Sequence, residues 1–390
     1  MTDPLPLRSF WIGGFESACH INRAGKRLDL ATATHHDRNA ELDYRLMAAE
    51  GILTAREAVP WYRADRAGCL DFTCIDPLLS AAERHGIQIL WTLCHWGWPD
   101  ELDPLSPEFV GRMARYARAS ALHIASRSEG PWWFTPVNEI SFAAWAAGHV
   151  AYMHPFLSDA SDAVKRQLVR AAIASMDEIW TVLPDARMLH TDPIIQVVTP
   201  RGRPDLAREA HDYTSAQYAA WDMLAGGLAP ELGGHPRYLD VLAPNFYASN
   251  QWELHGTALP WENGPRDDRW VPLHEQLARL HRRYGRPMII GETSHVGSGR
   301  AAWLREVTGE VVRAIELGVP LHGVCLYPLV DRPDWENADH WHRSGLWDVV
   351  PDAYGELRRV ACEPCLAELR RSVERVGRMT RVRGASPGAA

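Results

Sequence analysis

Short apolar segments alternate with longer amphipathic segments along almost the whole chain. The apolar segments have the length of β-strands, whereas the longer segments repeat hydrophobic residues every three to four positions, as helices with one buried face do. Eight strands are predicted, at residues 10–14, 52–56, 87–93, 132–137, 187–190, 239–243, 287–290 and 324–327. Helices are predicted between and after them, at residues 39–50, 71–85, 107–127, 162–183, 206–224, 272–283, 301–317 and 354–378.

This alternation predicts the fold class. Several predicted helices end in glycine directly before the next strand, at Gly51, Gly86 and Gly285, where glycine can adopt the left-handed conformation of a C-cap. An eightfold β/α repeat with apolar strands is typical of an α/β protein built as a single (β/α)8 TIM barrel. We therefore predict one barrel domain over residues 1–380 and a disordered C-terminal tail at 381–390, which ends in the small-residue segment Gly384 to Ala390.

The composition excludes several classes of protein. Of the 390 residues, 46% are hydrophobic and 23% are charged, as in an ordinary globular protein and unlike a disordered or collagen-like chain. No apolar run reaches the roughly 18 residues that a membrane-spanning helix needs. Phosphate-binding motifs of the GxGxxG and GxxxxGK types are absent, which argues against a nucleotide-binding fold.

Charge and cysteine usage bear on partners and location. The net charge is −8, from 41 basic and 49 acidic residues, so no basic face for nucleic acid is expected. The first residues lack the pattern of a signal peptide, and seven irregularly spaced cysteines suit a reducing compartment, so we expect a cytoplasmic protein without membrane contact. The single CxxC motif of Cys362 and Cys365 is more often structural than metal-binding, and the histidine pairs at 35–36 and 340–342 have no third ligand at zinc-site spacing. We expect no metal and no cofactor.

Polar residues after the predicted strands are the candidates for function, because active sites of such barrels lie at the carboxyl ends of the strands. They are Arg56, His95, Trp96, Asn138, Glu139, Asn245, Tyr247, Glu292, Asp331, Asp334 and Trp335. Glu139 and Glu292 follow the fourth and seventh strands. Glycoside hydrolysis needs two such carboxyl groups, one protonated to assist the leaving oxygen and one ionised to attack the anomeric carbon.

Tryptophan is unusually frequent, with 17 residues against 11 tyrosines and 8 phenylalanines. The indole ring has a broad apolar face and one N–H donor, which suits the apolar faces and polar edges of sugar rings. A core rich in tryptophan would give the same count, so composition leaves both interpretations open.

The strand-end motifs also follow a recognisable order. They are Phe10-Trp-Ile-Gly-Gly-Phe-Glu-Ser-Ala-Cys-His20, Arg56-Glu-Ala-Val-Pro-Trp61-Tyr-Arg63, Thr92-Leu-Cys-His95-Trp96-Gly-Trp-Pro99, Thr135-Pro-Val-Asn138-Glu139-Ile140, Asn245-Phe-Tyr247, Pro287-Met-Ile-Ile-Gly-Glu292 and Gly323-Val-Cys-Leu-Tyr327-Pro-Leu-Val-Asp331-Arg-Pro-Asp334-Trp335. Over nearly the whole chain this set resembles glycoside hydrolase family 1, the β-glucosidase-like family, as a divergent member of the clan A barrels that carry retaining glycosidases.

The resemblance implies a retaining β-glycosidase with Glu139 as acid/base and Glu292 as nucleophile. Arg56 and Tyr247 would then donate hydrogen bonds to Glu292 and favour its charged form, and that negative charge would raise the pKa of Glu139. Asn138 would hold the 2-hydroxyl of the sugar. The other substrate-binding residues implied by the resemblance are His20, His95, Trp96, Asn245, Tyr327, Asp334 and Trp335.

The chain departs from the family pattern at positions that bind sugar. His20 stands where the family usually has glutamine, Asp334 where it has glutamate, and Tyr327 where it has tryptophan, while Ile140 replaces the proline after the acid/base. Both catalytic glutamates are present, so we expect an active site with an altered sugar preference that acts on a small β-glycoside.

Two other functions remain open at this point. The same carboxylate pair could serve a transglycosidase or an enzyme that tailors an unusual glycoside, and the altered sugar-binding positions motivate that alternative. The barrel could also be a catalytically silent sugar-binding protein, although two acids held together in one site bring a pure binder no advantage. The sequence leaves the sugar, the aglycone, the linkage and the oligomeric state open.

Overall fold

Eight parallel strands close into a barrel in the computed structural model, which describes residues 5–262 and 264–384. The strands are β1 (Trp11–Gly14), β2 (Thr54–Ala58), β3 (Gln88–Thr92), β4 (Trp133–Thr135), β5 (Arg187–Pro193), β6 (Val241–Asn245), β7 (Met288–Thr293) and β8 (Leu321–Leu326). Each pairs with its neighbours in sequence, and β8 returns to β1. The predicted (β/α)8 fold is confirmed.

Helices surround the barrel on its outside. Their bounds are Leu30–Ala33, His36–Ala49, Trp61–Ala64, Asp76–His85, Glu108–Ala125, Ile140–Gly148, Ser161–Val182, Ala207–Ser215, Ala219–Ala225, Leu273–Tyr284, Arg300–Glu316 and Glu363–Gly384. Three short two-stranded sheets complete the fold: Asp65–Arg66 with Cys69–Leu70, Gln196–Val198 with Gln251–Glu253, and Trp347–Pro351 with Leu357–Ala361. Among the described residues, no helix is both long and apolar enough to cross a bilayer.

The barrel interior is filled by side chains. Alternate residues of the strands point inward and form one buried cluster, which consists of Ile12, Leu90, Trp133, Leu189, Val241, Ala243, Ile289, Cys325 and Tyr327. The other strand residues pack outward against the helices in a second, larger core. Because the interior is packed, a ligand site has to lie above this cluster, at the carboxyl ends of the strands.

The end of the chain differs from the prediction. Residues 354–361, expected to begin a long helix, lie in the turn and second strand of an antiparallel hairpin. Asp352 Oδ1 accepts hydrogen bonds from the N–H groups of Tyr354 and Glu356, and Gly355 has a φ of +81°, so local turn chemistry favours a hairpin here. The helix Glu363–Gly384 follows, so residues 381–384 of the predicted disordered tail are helical, and residues 385–390 lie outside the described residues.

Candidate active site

A cavity of about 490 Å³ opens at the carboxyl ends of the strands. Both predicted catalytic residues, Glu139 and Glu292, contribute to its lining, although each side chain is almost completely buried. The remaining lining residues lie at or after the carboxyl ends of seven strands and are Glu16, His95, Trp96, Phe142, Pro193, Tyr247, Ala248, Ser249, Asn250, Ser294, His295, Val296, Tyr327, Pro328, Arg332, Trp335, His342 and Ser344.

Glu292 lies in β7 and receives hydrogen bonds on both carboxylate oxygens. Arg56 in β2 donates from Nη1 to Oε1 at 2.6 Å, and the Tyr247 hydroxyl donates to Oε2 at 2.9 Å. The Arg56 side chain is fully buried, so its positive charge is little screened by water. The Glu292 carboxylate is thus paired with a positive charge and fixed in orientation by two hydrogen bonds.

Glu139 directly follows β4 and precedes the helix Ile140–Gly148. Its φ of +47° lies in the left-handed region, which a residue with a side chain adopts only at a cost of roughly 1–3 kcal/mol. The turn is held by hydrogen bonds to neighbouring strand ends, from Asn138 N–H to the Cys94 carbonyl (2.9 Å) and from Glu139 N–H to the Thr191 carbonyl (3.0 Å). This sharp turn directs the Glu139 side chain into the cavity.

The electrostatic surroundings of Glu139 favour its protonated form. Burial and, next in size, the negative charge of Glu292 raise its pKa well above the ordinary value of a glutamate. Asn245 Nδ2 donates to Glu139 Oε1 at 2.7 Å, which opposes the shift, and the charge of Asp192 adds to it. These surroundings therefore favour the protonated form of Glu139, while the other carboxyl group of the cavity is paired with a cation.

Asn138 joins residues from neighbouring strands by hydrogen bonds at the floor of the cavity. Its Oδ1 accepts hydrogen bonds from Arg56 Nη2 (2.5 Å) and Thr191 Oγ1 (2.7 Å), and its Nδ2 donates to His95 Nε2 (3.1 Å). Burial and then the nearby charge of Arg56 lower the pKa of His95 well below its usual value, so this imidazole is neutral and can accept that bond. Asn138 thus links β2, β3, β4 and β5 at one point, and it holds Arg56 in place beside Glu292.

Aromatic side chains form one wall of the cavity. The rings of Trp96 and Phe142 have centroids 4.9 Å apart, and those of Trp96 and Trp335 are 5.4 Å apart. Tyr327 lies on the floor, where the Arg56 guanidinium stands 5.1 Å from its ring centre. Flat apolar surfaces beside polar groups are the kind of lining that binds a sugar ring.

Two predicted substrate-binding residues do not line this cavity. His20 is completely buried and packs edge-on against Trp96 and Trp335, with burial followed by the charge of Arg27 lowering its pKa to about 4. Asp334 accepts hydrogen bonds from the N–H groups of Glu336 and Asn337 in its own loop. The candidate Asp331 does not line the cavity either, because it is buried and accepts hydrogen bonds from Ser344. The other predicted site residues meet around the cavity, with Arg56, Asn138 and Asn245 directly behind its surface.

Sequence analysis missed two charged residues of the cavity. Glu16 follows β1, and its Oε2 lies 2.9 Å from Nε of Arg332 in the loop after β8. Burial raises the pKa of Glu16, and the charge of Arg332 opposes that shift. Glu16 is the first charged residue after the first strand, so the rule that selects polar residues after strands points to it as well.

Asp192 in β5 is a third residue that the sequence analysis left unassigned. It is buried, and it accepts hydrogen bonds from Ser141 Oγ (2.8 Å) and Ser141 N–H (3.1 Å) at the start of the helix Ile140–Gly148. Burial raises its pKa to about 7 against the effect of these hydrogen bonds. In the part of the chain that the structure describes, no cluster of three or more histidine, cysteine, aspartate or glutamate side chains is arranged to hold a metal ion.

Comparison with solved structures identifies proteins with a similar fold. A β-glucosidase from Thermotoga maritima in complex with glucoimidazole has a TM-score of 0.74 and covers 96% of this chain and 99% of its own, at 15% sequence identity. The chain has the fold of that enzyme. The complex of a Thermotoga maritima β-glucosidase with deoxynojirimycin gives a TM-score of 0.73 at 16% identity, and a family 1 β-glucosidase from the same organism gives 0.71 at 15%, both with the same coverage. No family model and no curated protein sequence matches the chain.

Proposed function

We propose that this chain is a retaining β-glycosidase that hydrolyses a small β-glycoside by double displacement. One observation carries the proposal: Glu139 and Glu292 face the same cavity in opposite environments. Glu292 has an arginine and a tyrosine on its two oxygens, whereas burial and the charge of Glu292 raise the pKa of Glu139. Retaining glycosidases divide the work between two carboxyl groups in this way.

In the first step, Glu292 attacks the anomeric carbon while the bond from that carbon to the leaving oxygen breaks. Glu139 gives its proton to that oxygen, so the aglycone leaves as a neutral alcohol. The sugar is then joined to Glu292 as an ester, and Glu139 is a carboxylate. Because the ester carries no charge, the main electrostatic influence that raises the pKa of Glu139 is removed.

In the second step, Glu139 acts as a base. It takes a proton from a water molecule, whose oxygen attacks the anomeric carbon as the ester bond breaks. The products are the free sugar, the Glu292 carboxylate and a protonated Glu139, which restores the starting state. Asn138 lies directly behind the cavity surface, where it holds Arg56 beside Glu292. Its contact with the 2-hydroxyl of the sugar stays a prediction.

The neighbours of the fold support a sugar substrate. The similar structures are β-glucosidases, and two of them were determined with glucoimidazole and deoxynojirimycin bound. Their sequence identity of 15–16% leaves the glycone of this chain undetermined, so the substrate has to be found by experiment.

A panel of nitrophenyl β-glycosides tests the proposal, with Glu292→Gln and the exposed Glu83→Gln as a matched pair of variants. We expect the parent and Glu83→Gln to release nitrophenol at equal rates and Glu292→Gln to lose at least about a thousandfold in kcat. Proton NMR of the first sugar released should show the β-anomer. An α-anomer would instead indicate inversion and would exclude Glu292 as a nucleophile.

The same assays distinguish the alternative functions. Added alcohols or sugars that become the main acceptors, with little free sugar formed, would indicate a transglycosidase. Calorimetric binding of glycosides by the parent, without turnover over days, would indicate a silent sugar-binding barrel. Equal activity of the parent and Glu292→Gln would exclude the proposed mechanism.

A further inference from the structure

Two of the sugar-binding residues suggested by the resemblance, Asp334 and His20, make contacts within the protein instead of facing the cavity. Asp334 Oδ1 accepts two backbone hydrogen bonds in its own loop, and Asp334 Oδ2 lies 3.1 Å from Nε2 of His342. His20 is enclosed behind the rings of Trp96 and Trp335. The cavity must therefore recognise the sugar with other residues.

Glu16 and Arg332 supply charged groups at the cavity surface. Glu16 Oε1 accepts from the Ala18 N–H at 3.0 Å and from the Tyr327 hydroxyl at 3.3 Å, and Glu16 Oε2 pairs with Arg332 Nε at 2.9 Å. The Arg332 guanidinium also stands 5.3 Å from the ring centre of Trp335. Each side chain is fixed by several contacts, as a recognition site requires.

Tyr327 connects the pair to the nucleophile. The Tyr327 hydroxyl contacts Glu16, while the Tyr327 ring contacts Arg56, which in turn binds Glu292. Tyr327 thus separates Glu16 from the nucleophile. A sugar whose anomeric carbon faces Glu292 would extend its far side over Tyr327 toward Glu16 and Arg332.

The charges of Glu16 and Arg332 limit which substituents the sugar can have on the side remote from its anomeric carbon. A carboxylate only accepts hydrogen bonds, and a guanidinium only donates them. A hydroxyl group does both and matches the pair. An anionic substituent could bind Arg332 only in competition with the buried Glu16 carboxylate, and a hydrogen atom would leave the polar groups without a ligand contact.

We propose that Glu16 and Arg332 are the specificity-determining residues of the glycone site and that they select a neutral glycone with hydroxyl groups on the side remote from the anomeric carbon. This inference rests on the proposed glycosidase function and names its substrate class. In this chain, Glu16 and Arg332 would thus take the sugar-binding role that the resemblance implies for His20 and Asp334.

The test compares substrates that differ only on the far side of the ring. The nitrophenyl β-glucoside, β-galactoside, β-xyloside, β-fucoside and β-glucuronide are assayed with the parent, Glu16→Gln, Arg332→Gln and the double variant. The parent should hydrolyse its best hydroxylated glycoside at least tenfold faster in kcat/KM than the glucuronide. Each single variant should lower kcat/KM for that glycoside by roughly 10- to 100-fold, as expected when a charged group loses a hydrogen bond to substrate.

Substrates lacking the contacted hydroxyl provide the decisive comparison. For the β-xyloside or β-fucoside that lacks it, the same variants should change kcat/KM by less than about threefold relative to the parent. Exposed residues of the same region, in Glu336→Gln and Arg343→Gln, serve as matched controls and should leave all five rates unchanged. Thermal melting of every variant identifies misfolding, and Glu16→Gln keeps an oxygen acceptor for the Ala18 N–H.

Three outcomes would overturn the inference while the parent is active: equal losses on all substrates, no loss on any of them, or faster turnover of the glucuronide than of the neutral glycosides. If the parent hydrolyses none of the panel, the proposed function fails instead. Calorimetry with the free sugars then tests the role of Glu16 and Arg332. Weaker sugar binding by Glu16→Gln than by the parent would support that role, whereas equal binding by both, or no binding, would contradict it.

Discussion

Glu139 and Glu292 are the same residue type, and only their neighbours distinguish them. Arg56 neutralises the charge of Glu292 across 2.6 Å, while Glu139 is buried next to that carboxylate and has an amide, Asn245, as its hydrogen-bond partner. Desolvation and repulsion therefore favour the proton on Glu139, whose neighbours Arg56, Asn245 and Glu292 lie on three different strands.

Replacing Asp192 should change the pH dependence of catalysis. The negative charge of Asp192 is one of the influences that raise the pKa of Glu139, so Asp192→Asn should lower that pKa. Glu139 would lose its proton at lower pH, so the alkaline limb of the kcat/KM profile should move to lower pH.

Asp185→Asn is the matched control, because Asp185 is exposed on the loop before β5. It should leave the profile unchanged. A uniform fall in rate with both limbs in place would show that Asp192 only anchors Ser141 and the helix Ile140–Gly148. An alkaline limb that moves to higher pH would contradict the assigned electrostatic role.

Among the elements, the hairpin Trp347–Pro351 and Leu357–Ala361 is attached to the helix His36–Ala49 by an arginine with a buried side chain. Arg359 donates from Nε to Asp43 Oδ1 at 2.7 Å and from Nη2 to Asp43 Oδ2 at 2.8 Å, and Nη1 donates to the Thr34 carbonyl at 2.9 Å. The pair is almost inaccessible to solvent. The hairpin follows the loop that carries Arg332 and Trp335, so its attachment supports one side of the cavity.

Arg359→Ala should destabilise the protein strongly, because it leaves the buried Asp43 carboxylate with only His36 as a charged partner. Loss of one member of a buried ion pair costs roughly 3–5 kcal/mol. Denaturant unfolding followed by tryptophan fluorescence measures the effect. The neighbouring Arg358 is exposed on the same strand, so Arg358→Ala should change the free energy of unfolding by less than about 0.5 kcal/mol. Equal stability of the two variants would contradict the role given to Arg359.

Across the molecule as a whole, a buried charge network joins the barrel, a surrounding helix and the hairpin. His36 contacts Asp43 through Nδ1 at 2.8 Å and Glu57 of β2 through Nε2 at 2.9 Å, and the Tyr44 hydroxyl donates to Glu57 at 2.8 Å. Burial alone lowers the pKa of His36, but Glu57 and Asp43 outweigh it and raise the pKa to about 9. His36, one of the histidine pair at 35–36, is buried at the start of the helix His36–Ala49.

Stability should therefore fall at alkaline pH. The ordinary histidine pKa is 6.5, so the stabilisation from His36 is complete below pH 6.5 and is lost as the pH rises through about 9. The difference between the two pKa values of His36 corresponds to roughly 3 kcal/mol in the free energy of unfolding. Melting temperatures of the parent should fall between these pH values by several degrees more than those of His36→Gln, while the exposed His211→Gln follows the parent. Parallel curves for the parent and His36→Gln would contradict the prediction.

The barrel and the two carboxyl groups that face its cavity follow from the order of residues along the chain. Strand and helix periodicities are local, and parallel strands joined in succession bring their carboxyl ends to one face. This is enough to predict that Glu139, Glu292, Arg56, Asn138 and Tyr247 lie close together. Their catalytic roles remain predictions for the panel of glycosides to test.

Which charges meet, by contrast, depends on how the loops pack in three dimensions. Glu16 and Arg332 come from opposite ends of the chain, and Asp192 acts on Glu139 from a neighbouring strand. The direction of a side chain after a strand depends on the packing around it, which is why Asp334 turns into its own loop and His20 lies behind two indole rings. Periodicity reports which face of an element is buried, whereas specificity depends on distances between residues that sequence order does not fix.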